Sequence, residues 1–311
     1  MKKPEYVKIQ FFKIPQEFVD EYNLTVYVHN GWVYFDCLCG AYWLPQSGIL
    51  ANIQISNRLE KEGYYEASTT PGLWRHKWHP VVLCLIVDYF GVEYVVKQHA
   101  DHLVNLVKEH HGITDYWEGK KYLGIDLTWD YKKSNFRSTM NRYIQDIRIK
   151  YDHQDPNKPQ LYPHAHRPIT YGAKQQMALP EDTSVKLDSK GIKHVQGIVG
   201  ALIFVGRAVN NKVLVALSAI GSQKSAATEN TNAATTQILN YVANYPDYGL
   251  LLRASDMILA AHLYASFLNE SKARIRAGDH LFLSGKLPTP PLNGDVLTIA
   301  QIIKSVMESS A

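Results

Sequence analysis

The sequence predicts an α+β fold, and three observations carry that prediction. Residues 81–87 form a continuous apolar run, too short for a typical helix and flanked by strand-favouring residues. Residues 191–245 carry apolar side chains at helical spacing, and residues 250–304 return to short β-like runs. The chain has 311 residues, 46% of them hydrophobic and 20% charged. That balance excludes a wholly disordered chain, a collagen and a disulfide-rich miniprotein, and the length corresponds to roughly two domains.

The elements follow in order. Trp32-Val-Tyr-Phe is rich in aromatic and β-branched residues and follows the turn signal Asn30-Gly31, so it reads as a strand. Ser47–Glu62 reads as a helix that Gly63 stops. The apolar strand from Val81 ends at Asp88. Gly91 allows a tight reversal and 92–96 returns as a second strand, a hairpin with Asp88 and Tyr89 at its tip. Residues 99–111 and 140–151 show helical spacing, and 122–129 looks like a strand. Residues 152–190 hold five prolines between Pro156 and Pro180 and lose apolar periodicity, which marks a linker or functional loop and a domain boundary. Helices are expected near 192–206, 211–221 and 228–244, then β-like runs at 257–261, 280–284 and 296–303.

Charge and cysteine content bound the setting. Lys plus Arg is 33 against 29 Asp plus Glu, a net +4, which permits a nucleic-acid partner without demanding one. The strongest apolar runs, Val81–Val87 and Ile198–Val205, fall far short of the ~20 residues a spanning helix needs. No apolar h-region follows Met1-Lys2-Lys3, so no secretory signal is expected. Three cysteines, Cys37, Cys39 and Cys84, make no disulfide framework and suit reduced thiols in an intracellular protein, cytoplasmic or nuclear.

A family resemblance rests on motif order. Tyr42-Trp43-Leu44-Pro45-Gln46-Ser47-Gly48, then Ile86-Val87-Asp88-Tyr89, then Tyr122-Leu123-Gly124-Ile125 occur in the order found in reverse transcriptases. Tyr143-Ile-Gln-Asp-Ile, the helix from Val195 to Val205, and Ile238-Leu-Asn-Tyr-Val followed by Tyr248-Gly-Leu extend the likeness. Over nearly its full length the chain resembles the polymerase and RNase H region of a copia-type retrotransposon polyprotein. The resemblance implies partial fingers and palm over 1–151, a Pro-rich linker over 152–190, a helical thumb or connection over 191–246, and a truncated RNase H-like sheet over 247–311. It implies a template-primer of RNA or DNA; the residues themselves point to no membrane and no obligate protein partner. It also implies Mg²⁺, held by carboxylates from an early strand and a hairpin tip for two-metal phosphoryl transfer.

Residue by residue, the resemblance assigns roles and exposes departures. Asp88 matches the first carboxylate of the family's hairpin and is the expected metal ligand, but Tyr89 stands where a second Asp is usual. Pro45 and Gln46 match the loop that contacts the incoming nucleotide, with Trp43 in place of the usual Gly before Leu44. Leu123 and Gly124 match the segment that holds the primer end, and Lys120 and Lys121 before it suit phosphates or simply a solvated strand start. In the RNase H-like segment, Tyr264 stands at the Asp of the family's S-D-A. The early-strand Asp is expected upstream of Pro4, and the next RNase H acid beyond Ala311. Asp20 and Asp36 read as surface or structural residues, because isolated carboxylates are usually solvated.

The resulting expectation is a retrotransposon-derived RNA-directed DNA polymerase fragment without working metal sites. The alternative is a non-enzymatic nucleic-acid-binding remnant, and a third reading is an enzyme completed in trans. Other groups read as structural. Cys37-x-Cys39 with Cys84 has the wrong spacing for structural zinc and suits core packing. His110-His111 closes a helix, and His164 and His166 lie in the linker without ligand partners. Gly197-x-x-Gly200 reads as close helix packing, and Arg207 as a helix-terminal cation.

Overall fold

Val81, Leu83 and Leu85 are buried and alternate with more exposed residues, the period-two pattern of a strand with one covered face. That strand organises the first of two compact units, Met1–Asp115 and Tyr116–Ala311. The computed structural model describes residues 6–36, 45–165, 182–266, 270, 274–286 and 292–303. The fold is mixed α+β, with small antiparallel sheets and, among the described residues, seven α-helices.

The first unit opens with a two-stranded ribbon, β1 (Tyr6–Gln10) and β2 (Trp32–Asp36), with Gly31 at φ +79 before β2. A short helix, α1 (Gln16–Glu21), lies between them and includes Asp20. Helix α2 (Pro45–Lys61) leads into a four-stranded meander of β3 (Tyr64–Glu66), β4 (Leu73–His76), β5 (Val81–Ile86) and β6 (Tyr89–Tyr94). Helix α3 (Lys97–Lys108) follows, burying Ala100, Leu103 and Val107. Leu59 of α2, Tyr64, Trp74, the three buried β5 residues, Leu103 and Val107 make one core. Residues 1–80 read from the sequence as short strands and loops with one helix, and β3 and β4 are two such strands, short and rich in Tyr, Trp, Arg and His, whose bounds only the pairing sets.

The hairpin exists, but its reversal is not at Gly91. Ile86 pairs with Tyr89 and Cys84 with Gly91, so Val87 and Asp88 form the two-residue turn and Gly91 lies inside β6. The sheet register overrides a glycine signal here, because each strand residue gains a ladder partner. Helix α3 also ends at Lys108, before His110-His111.

In the second unit, β7 (Lys121–Tyr122), β8 (Ile125–Asp130) and β9 (Asn135–Thr139) form a meander that β10 (Gly249–Arg253) joins beside β9. The expected strand over 122–129 is thus split by a turn at Leu123-Gly124, φ +51 and +80. Helices α4 (Asn141–Lys150), α5 (Ser189–Ala208), α6 (Leu214–Gln223) and α7 (Glu229–Asn244) share a core of Met140, Ile144, Ile198, Leu202, Leu217 and Ile238, among others. Gly197 is tight against Tyr151, where a Cβ would lie 2.5 Å from the phenol oxygen, whereas Gly200 faces open space. Arg207 sits in the last turn of α5, as expected of a cation there. The carbonyls of Gln160 and Tyr162 accept from Asn244 and Gln237 of α7, which ties the described end of the Pro-rich segment to that helix. A three-stranded antiparallel sheet closes the described chain: β11 (Ile258–Ala265), β12 (Ile275–Ser284) and β13 (Asp295–Ile303), with β12 central.

Candidate functional site

The β5–β6 hairpin carries the site the sequence singles out. Asp88 is the second residue of the turn and is exposed; Tyr89 starts β6 and is 54% exposed. Val87 before them holds φ +57 while 92% exposed. A β-branched residue rarely adopts this left-handed backbone, so the tip is strained without any burial of Val87 to offset it.

Whether magnesium suits this tip is decided by ligand chemistry. Mg²⁺ requires near-octahedral oxygen coordination, usually with one or two carboxylates beside phosphates and waters, and two-metal transfer needs acids to hold both ions. Asp88 supplies one carboxylate, and Tyr89 beside it supplies a phenol in place of a second carboxylate. Among the described residues, Asp88 belongs to no group of three or more His, Cys, Asp or Glu side chains close enough to share an ion. These residues do not fit a magnesium pair.

The other expected residues lie on other elements of the chain. Pro45 and Gln46 open α2, and their side chains lie outside the described residues, as do Cys37, Cys39 and His166. Lys121 is on β7 opposite Asp126, and Leu123-Gly124 makes the next turn, in the second unit. Lys120 is not a bare cation: its Nζ lies 2.6 Å from a Glu118 carboxylate oxygen, both groups exposed. Tyr264 is on edge strand β11, 74% exposed, opposite Gly278.

A second cluster lies outside the residues the sequence singles out. His76 at the end of β4, His79 in the β4–β5 connection, and His99 and His102 one turn apart on α3 come together in the first unit. The ring centroids of His76 and His79 are 4.4 Å apart, and those of His79 and His102 4.7 Å. Cross-strand pairing sets Tyr64 opposite His76, where the two rings meet edge to face. His76 is buried; its Nε2 lies 2.8 Å from the Glu62 carbonyl, and its Nδ1 accepts the backbone N–H groups of Trp78 and His79. That assigns His76 as the neutral Nε2–H tautomer. Burial, then the neighbouring histidines, push His79 below the ordinary histidine range. For His76 burial again acts most strongly, with His102, Lys77 and His99 adding to it against the Glu62 hydrogen bond. Burial, helped by Glu62, pushes the Tyr64 phenol up to about 12, so its hydroxyl stays protonated beside His102 Nδ1, 3.1 Å away.

The signal for this cluster was present as two His-x₂-His pairs, 76–79 and 99–102. It is weaker to the eye than the adjacent His110-His111, of which His111 instead pairs with Arg58. Compared with family models, with curated proteins and with solved structures, the chain has no match.

Proposed function

We propose that the chain is a retrotransposon-derived reverse transcriptase region that lacks polymerase and RNase H activity. The observation that carries this reading is the β5–β6 hairpin, with Asp88 alone at its tip and Tyr89 beside it. Motif order supplies the likeness, and the two-residue turn gives Asp88 the hairpin-tip position the likeness requires. The β11–β12–β13 meander, carrying Tyr264 on its first strand, is compatible with an RNase H-like sheet whose acid is replaced. Loss of activity follows from magnitude. Each ~1.4 kcal/mol added to a barrier slows a reaction tenfold, and losing even one catalytic group costs several kcal/mol.

Primer extension on an RNA template with Mg²⁺ or Mn²⁺ tests the proposal. The expected result is no product above background. Extension that Asp88→Ala abolishes would overturn it. The binding-remnant reading rests on Lys120 and Lys121 beside the Leu123-Gly124 turn. It predicts affinity for a template-primer that falls steeply with salt in filter binding.

A further inference from the structure

The histidine cluster of the first unit is independent of the polymerase reading and has its own chemistry. We infer that His76, His79 and His102 form a binding site for a nitrogen-preferring transition metal of the zinc class. One ligand atom from each lies within 4.8 Å of the others. Two ligands on a tetrahedral zinc at ~2.0–2.1 Å stand roughly 3.4 Å apart, so modest side-chain rotation closes the set. Three imidazoles without a carboxylate suit zinc, copper or nickel and disfavour magnesium or calcium.

The surroundings resemble the outer shell that such sites need. A metal-binding histidine usually has its second ring nitrogen held by a carbonyl or another polar partner, which fixes the tautomer and aims the first. Here His76 Nε2 meets the Glu62 carbonyl at 2.8 Å, His102 Nδ1 meets the Tyr64 hydroxyl at 3.1 Å, and His79 Nδ1 meets His99 Nδ1 at 2.8 Å. The remaining nitrogens of His79 and His102 are then the ones left for an ion. At His76 the remaining Nδ1 is shared by two backbone N–H groups, at 3.0 and 2.9 Å, and metal binding would exchange that bifurcated bond for one to the ion. The ion would join the β4–β5 connection to α3, two segments separated in sequence by the β5–β6 hairpin. Its role is a clip on the fold, with the open fourth position free for water.

Titration of the tag-free full chain with Co²⁺, read by visible absorption, and with Zn²⁺, read by calorimetry, tests the site. One ion per chain is expected, with a tetrahedral Co²⁺ spectrum that Zn²⁺ displaces and a melting temperature that Zn²⁺ raises. His79→Ala and His102→Ala should each weaken Zn²⁺ binding at least tenfold and remove the thermal shift. His164→Ala, an exposed residue of the other unit, should change neither. If an alanine variant loses its native circular dichroism, His79→Asn and His102→Gln replace it, and Tyr64→Phe, which keeps the packing, should still weaken binding about tenfold. No saturable Zn²⁺ binding by the folded wild-type chain, or binding that survives both histidine substitutions, overturns the inference.

Discussion

Gly63 sits between α2 and β3 at φ +90, where an added Cβ would lie 3.0 Å from the Trp78 ring and 3.1 Å from His76 Nε2. Both the backbone and the space demand glycine. Gly63→Ala should destabilise the chain by about 1–2 kcal/mol, the cost of a left-handed L-residue, measured by urea denaturation. Val87 presents the opposite case, a side chain where glycine would serve better. Val87→Gly should raise stability by about 0.5–1 kcal/mol, because it relieves φ +57 at a position that packs against little. A neutral or destabilising result would mean that the Val87 side chain has a contact worth its strain. The residue scale also shows what could not be read in advance. Asp88 and Tyr89 were identifiable from the apolar run before them, but the turn position was not, since Gly91 offered the stronger local signal and only the β5–β6 register displaces it.

At the scale of elements, apolar periodicity made the longest pieces legible. Helix α5 from Ser189, α7 from Glu229 and strand β5 fall where spacing puts them, because each buries one continuous stripe or face. Strand β9 is hidden, and β3 and β4 are legible only as short strands without bounds, because their side chains are mostly polar or aromatic and their burial is decided by neighbours. The histidine cluster was hidden for the same reason: its two His-x₂-His pairs lie on β4 and its connection and on α3, and the meander alone brings them together. This element-level packing has a pH signature. His76, His79 and His111 are all held below the ordinary histidine pKa in the folded chain, the last mainly by burial and then by Arg58 and His110. Between the folded values and the unfolded value of ~6.5, the unfolded chain binds more protons. In metal-free buffer, stability should therefore be full above about pH 6.5 and fall progressively below it, as read from urea midpoints between pH 8 and pH 5. A midpoint that is flat or rises on acidification would contradict this. Thr228 caps α7 and accepts the Thr231 backbone N–H, so Thr228→Ala should cost about 1 kcal/mol by the same assay.

At the scale of the whole molecule, among the described residues β11 pairs on one side only, with β12, and its Leu259, Leu263 and Tyr264 are 59%, 70% and 74% exposed. Such an edge is a template for pairing between chains. Leu263→Lys should reduce self-association in light scattering without lowering the melting temperature, whereas unchanged association would place the contact elsewhere. Among the described residues, no helix is long and apolar enough to cross a membrane. The central claim concerns how many carboxylates the β5–β6 tip offers, and a Mn²⁺ titration followed by paramagnetic broadening of the Asp88 amide addresses it directly. The wild-type chain should show no saturable site there below millimolar Mn²⁺, and Tyr89→Asp should bind at least tenfold tighter. Saturable micromolar binding at the wild-type tip, lost in Asp88→Ala, would contradict it.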